Sequence, residues 1–378
     1  MKNRKKVCIS TWYRSMNYGT GLQALALQRF LENLGYTCYF LEDRRDGKEK
    51  RNRKEKRNRI AYKKGTLSLL EKIFLRLKYK KSFDRRRELI RTYDREQNKV
   101  FTINTEEDIV KLNRETDLFI AGGDQIWNPY VLEEKHLLTM AEDGKKMISF
   151  GTSVGVSEIP LELRAVYTEH LSRFQAISVR EEQSVRALDF LQKEVTEVVD
   201  PTLLFDAKGW SFLTEKAELK ADYLREPYIL CYFVGERKTY WSYVEQMQKE
   251  TGYRVLVIPV NYAGYRNRYE KVTAVTVKEF LALIQNAAIV CTDSFHATVF
   301  SIQYQKEFYV LKRFNDQSNQ SQNGRLKNML ERYCLDEYLI RDESCFQRKR
   351  KRDYQTVLQK IQRERERSVK WLMQELER

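Results

Sequence analysis

Apolar residues along this chain alternate between two patterns, short buried runs and longer stretches with helical spacing. The first run, Val7 to Thr11 (VCIST), reads as a strand; a polar loop, WYRSMNYGTG, follows it. Leu22, Leu25, Leu27, Phe30, Leu31 and Leu34 then recur at helical intervals up to Gly35, and Thr37 to Leu41 returns as a strand. This is a βαβ unit. The same alternation resumes with a strand over Tyr228 to Val234, a helix over Thr239 to Thr251, a strand over Arg254 to Val260 and a helix over Val277 to Asn286. A terminal helix over Tyr354 to Leu376 carries Val357, Leu358, Ile361, Val369, Leu372 and Leu376 on one face. Strands that alternate with helices predict an α/β protein with parallel sheets and right-handed crossovers. At 378 residues the chain is too long for one ordinary core. We expect an N-terminal domain over residues 1–205 with a basic insertion at 44–87, and a C-terminal domain over 206–378 that ends in the helix 354–376.

Polar chemistry gathers where apolar runs stop. Ile289, Val290 and Cys291 read as a strand, and Thr292, Asp293 or Ser294 can cap a helix that continues through Thr298 to Ile302. His296 lies in that turn; the other two histidines, His136 and His170, stand in no such pattern. In open α/β sheets ligands sit at the carboxyl ends of strands, and a helix N-terminus favours anions and a neutral, base-competent imidazole. The residues by themselves equally allow a capping turn with a structural histidine. Leu118 to Ala121 ends in Gly122-Gly123, followed at once by Asp124, Gln125, Trp127 and Asn128. Paired glycines let backbone approach a ligand, and a polar cluster with an indole is costly at a strand end unless it contacts something. A plain glycine turn is the alternative. Asn17, Tyr18, Gly19 and Gln23 lie in or beside the first strand-to-helix loop, where N–H groups can meet a phosphate, although the loop has no G-x-G-x-x-G or Walker pattern.

Six stretches taken in order, NYGTGLQALALQRFLENLGY, FIAGGDQIWNP, ISFGTSVG, FQAISVREEQSVRAL, VVDPTLLFDAKGW and TDSFHATVFSI, resemble the polysaccharide pyruvyl transferase family. The resemblance implies two Rossmann-like domains in a GT-B-like arrangement with an interdomain cleft, a terminal helix, 354–376, that packs back on the first domain, phosphoenolpyruvate as donor and a saccharide hydroxyl pair as acceptor. It implies that His296 is catalytic and that Arg180, in the S-x-R-E stretch, binds the donor. Many members carry R-L-H-G in the last motif; here Ser294 stands two residues before the histidine and Ala297 follows it. Losing that guanidinium weakens an anion site, since bidentate permanent charge holds anions best. The expected donor set is therefore Arg180, Ser294, His296 and Ala297, with Arg313 and Arg325 supplying charge. Asn17, Gly19, Gln23, Asp124, Gln125 and Asn128 are expected to bind the acceptor, with Trp127 stacking on its ring. The chemistry implied is ketal formation: the methylene carbon of the enol is protonated, two sugar hydroxyls add at C2, and phosphate leaves. A nucleotide-sugar glycosyltransferase and a non-catalytic scaffold of a polysaccharide assembly share this architecture and form the alternatives.

Composition changes the picture in one respect. The net charge of +16 is concentrated between Arg44 and Arg87, where 20 basic and 5 acidic residues leave +15. The first part, to Lys64, is almost without apolar residues and is expected to be a solvated loop. Leu67 to Phe83 places Leu67, Leu70, Phe74 and Leu77, with Ile73, in a helical stripe flanked by Arg76, Lys78, Lys80 and Lys81. Such a helix either packs on the core with a solvated basic face or docks on an anionic membrane surface or lipid-linked substrate. Nucleic acid is not the expected partner, because Tyr62, Phe74, Tyr79 and Phe83 are the only interleaved aromatics and lie mostly on the stripe. No signal peptide is read in MKNRKKVCIS and no window offers roughly 18 uninterrupted apolar residues. The six cysteines, Cys8, Cys38, Cys231, Cys291, Cys334 and Cys345, form no C-x-x-C pair or metal-ligand spacing. A cytoplasmic protein with no metal and no cofactor is expected, peripheral at the inner membrane face if the second of the two readings of the basic helix holds.

Overall fold

The computed structural model describes residues 4–45, 69–313, 323–349 and 353–378. The first half runs β1 (Lys6–Ser10), α1 (Tyr18–Asn33), β2 (Thr37–Asp43), α2 (Leu69–Gln97), β3 (Val100–Ile103), α3 (Glu106–Glu115), β4 (Leu118–Gly122), β5 (Lys146–Phe150), α4 (Leu161–Leu171), β6 (Ile177–Val179), α5 (Glu182–Ala187) and β7 (Val195–Glu197). The second runs α6 (Ser211–Thr214), β8 (Tyr228–Tyr232), α7 (Thr239–Thr251), β9 (Arg254–Val257), β10 (Glu270–Lys271), α8 (Val277–Asn286), β11 (Ile289–Thr292), α9 (Phe295–Gln303), β12 (Glu307–Val310), α10 (Asn323–Arg332) and α11 (Gln355–Glu377).

Two parallel sheets result, ordered β3-β2-β1-β4-β5 and β10-β9-β8-β11-β12. Parallel bridges from Ile148 to Ala176 and from Thr152 to Val179 continue the first sheet through β6 to β7. In each sheet the chain starts at the centre, winds outward one way, then crosses back to the other side. The order therefore reverses between β1 and β4 and between β8 and β11, where Val7 pairs with Leu118 and Ile289 with Ile229. Those two reversals open the crevices in which doubly wound sheets hold ligands. The fold is the predicted α/β class with two Rossmann-like sheets whose carboxyl edges meet, the GT-B-like arrangement.

Helix α1 joins the two halves. Tyr18, Leu22 and Ala26 pack with Phe280, Leu283 and Ala297 of the second half, whereas Ala24, Leu27 and Leu31 pack with Val7, Ile120 and Phe150 of the first. A helix apolar on two sides is buried between layers. Asn17 caps it, accepting from the Gly19 N–H at 3.3 Å. Helix α11 also crosses the halves: Val357 and Ile361 belong to the second core, Leu372 and Leu376 to the first, and the Ser368 hydroxyl accepts the Val199 N–H at 2.9 Å. Cys8, Cys38, Cys231 and Cys291 are buried in β1, β2, β8 and β11, and burial pushes the Cys38 thiol up to about 12.

The basic segment departs from expectation. Residues 46–68, including Leu67 and most of the expected loop, lie outside the described residues. The helix does not stop at Phe83 but continues as α2 to Gln97. Leu70, Ile73, Phe74 and Leu77, the stripe read from sequence, are exposed. The opposite row is the packed one: Leu75, Tyr79 and Phe83 meet Ala263, Tyr265 and Tyr262, with the Tyr79–Tyr265 and Phe83–Tyr262 rings stacked at 4.5 and 4.7 Å. Extending the helix brings in Arg86 and Ile90, both buried, as the anchors of that inner row. Among the described residues no helix is long and apolar enough to cross a membrane.

Candidate functional site

The carboxyl edges of the two sheets meet over His296. Strand β11 ends at Thr292, Ser294 caps α9 by accepting from the Ala297 N–H at 3.5 Å, and His296 is the second residue of that helix. The imidazole lies against α1 so closely that a Cβ built on Gly19 would stand 2.2 Å from its Nδ1. Only a glycine fits there, which explains the glycine in the NYG turn without appeal to φ. On the other side Nε2 faces Asp200 Oδ2 at 3.5 Å, an ion-pair distance longer than an N–H···O bond.

Asp200 is the functional candidate that sequence reasoning missed; it entered there only as one residue of the stretch VVDPTLLFDAKGW. It caps the short turn at Pro201–Leu203, its Oδ1 accepting from the Thr202 N–H at 2.9 Å, and its Oδ2 accepts from Arg180 Nη1 at 2.6 Å. Burial alone would raise its pKa, but His296 and then Arg180 outweigh that and hold the carboxyl well below the usual carboxylate range. A signal existed in the acidic N-cap before a proline, following a buried arginine by 20 residues.

Arg180, just beyond β6, is enclosed. It pairs with Asp200, with Glu181 at 3.3 Å and with Asp124 at 3.6 Å, and its guanidinium lies 4.6 Å above the Phe295 ring. Burial lowers its pKa, and Asp200, Glu181 and Asp124 overcompensate and raise it. Nη2 is buried without a hydrogen bond. Asp124 sits at the end of β4 in a left-handed conformation, φ 49°, and accepts the Thr20 hydroxyl of α1 at 2.8 Å. Burial would raise its carboxyl, yet Arg180 and then His296 and Arg325 hold it below its ordinary value. Arg325, in α10, is buried and is pushed down to about 9, first by burial and then by Arg180, with Glu181 and Asp124 pulling the other way. A cleft of about 950 Å³ opens onto this cluster, with Arg180, Asp200, Phe295, Arg325 and Tyr333 among its walls.

The remaining residues singled out from sequence divide into neighbours and structural parts. Arg313 bonds Asp293, its Nη2 donating to the backbone carbonyl at 2.9 Å. Ala297 is core and Ser294 a helix cap. Asn17 accepts the Tyr232 hydroxyl at 2.9 Å, fastening the first loop to the end of β8. Gln23 donates to Thr11, Trp12 and Thr20, and its Oε1 occupies the space a side chain at Gly123 would need. Asn128 donates to Gln125 at 3.1 Å beside Gly155. Trp127 is corrected outright. Its indole is 0% exposed, donates to the His136 carbonyl at 2.9 Å and packs edge-on to Phe174, so no ring face is open to a sugar. His136 is likewise core, with Ser10 at 3.0 Å. Among the described residues no group of side chains is arranged to hold a metal ion.

A buried carboxylate, imidazole and guanidinium thus lie together at the meeting edges of the two doubly wound sheets of an α/β protein. A family model for polysaccharide pyruvyl transferase matches residues 17–313, most of the chain. The chain belongs to that family. Among curated proteins no sequence matches. Solved structures with a similar course of chain include the glycosyltransferase SnogD from Streptomyces nogalater, at 11% identity and a TM-score of 0.48 with 99% of this chain and 100% of that one covered. UDP-GlcNAc 2-epimerase from Methanocaldococcus jannaschii is similar at 10% identity and a TM-score of 0.48, covering 95% and 99%. The Neisseria meningitidis enzyme of the same name gives 10% and 0.47, covering 98% and 100%. At such identities the likeness concerns the backbone alone.

Proposed function

We propose that this protein transfers a pyruvyl group from phosphoenolpyruvate to two hydroxyls of one sugar in a cell-surface polysaccharide or its lipid-linked precursor, working in the cytoplasm at the inner membrane face. The observation that carries this reading is the Arg180–Asp200–His296 cluster, buried at the facing strand ends and built from segments inside the matched family region. The halves divide near residue 205 and both serve donor and acceptor, the cleft being walled by Arg180 and Asp200 from the first and by Phe295, Arg325 and Tyr333 from the second.

The reaction needs a proton on the methylene carbon, positive charge beside a carboxylate and a phosphate, and room for a saccharide. His296 is assigned the proton, with Asp200 orienting its ring and stabilising the imidazolium. The first sugar hydroxyl bonds to C2 as its proton passes into the relay; phosphate then departs, and the second hydroxyl bonds to C2 as its proton is lost. One proton ends on the new methyl group and the other leaves with phosphate, so no oxidant or cofactor is required. Arg180 Nη2 and Arg325 are assigned to the donor anion, whose charge would relieve two guanidinium groups held near each other. The cleft beside α10 is assigned to the saccharide, in place of the Trp127 platform.

One feature weighs against a nucleotide-sugar donor. At the β8–β11 crevice the Val234 and Gly235 N–H groups both donate to the Asp293 carboxylate at 2.7 Å, so an internal anion takes the donors that a diphosphate would use. A thermal-stabilisation screen of the purified protein tests the reading. Phosphoenolpyruvate should raise the melting midpoint and nucleotide-sugars should not; the reverse pattern overturns the donor.

A further inference from the structure

We infer that the outer face of α2 is a docking surface for an anionic phospholipid bilayer. The proposal rests on the reading above only for why a membrane is useful; the binding itself stands on the helix. Leu70, Ile73, Phe74 and Leu77 are 79, 48, 60 and 76% exposed. Their spacing of three, four and seven residues puts them on one face. That face lies roughly opposite the packed row of Leu75, Tyr79, Phe83 and Arg86, and, unlike the two faces of α1, it is covered by no second layer of the described fold. Four large apolar tips grouped on one face differ from singly scattered ones, which need no explanation.

Charge identifies the occupant. Exposed Arg76, Lys78, Lys80, Lys81 and Arg85 flank or share the apolar face. Of the acidic residues of this stretch, Glu71 pairs with Arg266 at 3.2 Å, and Asp84, which pairs with Lys80 at 2.6 Å and Arg87 at 3.4 Å, offsets one of those five cations and leaves the face basic. An apolar strip bordered by cations suits the boundary between acyl chains and anionic headgroups. A second copy of this chain suits it poorly, because a two-fold contact would set the same cations against each other.

The helix also connects mechanically to the site. On its inner side Arg86 Nε donates to the Tyr18 hydroxyl at 2.8 Å and Nη2 to the Met16 carbonyl at 3.1 Å, holding the start of α1, whose Gly19 lies against His296. A membrane bound on the outer face therefore has a fixed orientation relative to the candidate site, which suits an acceptor carried on a lipid.

Flotation with phosphatidylcholine vesicles, with and without phosphatidylglycerol, tests this without any turnover. The full chain should float with the anionic vesicles only, and less as salt rises. The triple variant Leu70→Ser/Phe74→Ser/Leu77→Ser should bind at least about tenfold more weakly, a modest share of the transfer free energy of three large apolar side chains. Its circular dichroism and melting midpoint should stay unchanged. Lys78→Glu/Lys81→Glu keeps the apolar row and should lose binding chiefly at low salt. Undiminished flotation of the triple variant, or failure of the intact chain to bind anionic vesicles, overturns the proposal. So does a concentration-dependent dimer in sedimentation that the triple variant abolishes, since the partner would then be a second copy.

Discussion

Replacing Gly19 with alanine perturbs the candidate site at a defined atom. The added Cβ would lie 2.2 Å from His296 Nδ1 and 2.4 Å from its Cβ and Cγ. Ordinary contact needs about 3.5 Å, so something must yield by roughly 1 Å. Helix α1 cannot easily retreat: Tyr18 N–H donates to the Tyr232 hydroxyl at 3.1 Å, that hydroxyl donates to Asn17, and Arg86 holds the Tyr18 hydroxyl. The imidazole therefore rotates and leaves its 3.5 Å station beside Asp200. Misplacement of a reacting group by about 1 Å costs on the order of 10²-fold in rate. Stability should fall less, since overpacking of about 1–3 kcal/mol is partly offset by the gain of about 1 kcal/mol for alanine over glycine in a helix. Gly21→Ala is the control, because its Cβ would meet nothing closer than 3.7 Å. Phosphate release from phosphoenolpyruvate, measured with a saccharide acceptor beside thermal melts, separates the two. A Gly19→Ala enzyme as active as wild type, or a Gly21→Ala enzyme equally damaged, would refute the reasoning.

His296→Gln should lower phosphate release by about 10²- to 10⁴-fold while leaving donor affinity near wild type, as measured by calorimetry. Arg180→Lys should weaken phosphoenolpyruvate binding, because an ammonium group cannot serve Asp200, Glu181 and an incoming anion at once; unchanged affinity would make Arg180 a structural ion pair only. Asp94, buried on α2, has its carboxyl pushed up to about 7 by burial against a smaller pull from Arg14. The folded state therefore holds its proton longer than the unfolded one, and stability falls as pH rises from about 4 to about 7. Asp94→Asn should stabilise the protein at pH 8 by about 1–2 kcal/mol, below the ceiling of about 4 kcal/mol for three pKa units, and do nothing at pH 4; equal effects at both pH values would show that ionisation is not the cause.

What could be read from sequence was governed by period. Helices α7 and α8 run over the ranges their apolar spacing predicts, and His296 falls in the first turn after β11, because those segments obey one pattern each. Helix α2 does not. It carries apolar rows on opposite sides, and the row that packs, through Leu75, Tyr79 and Phe83, is the less conspicuous one in a basic stretch. Trp127 has the same local signature whether it faces a ligand or a core; only Phe174 and the His136 carbonyl, supplied from elsewhere in the chain, decide between them. The Asp200 partnership is assembled from β6, the turn at Pro201 and α9, a convergence that no local spacing encodes.

The most direct test of the central claim is product mass. Purified protein would be incubated with carbon-labelled phosphoenolpyruvate and lipid-linked saccharides, with phosphate counted in parallel for wild type and His296→Gln. The account predicts that one labelled pyruvyl unit enters the saccharide per phosphate released by the wild-type protein, and that His296→Gln loses both signals together. Saccharide extended only when a nucleotide-sugar is supplied, or label transferred equally by His296→Gln, would contradict it.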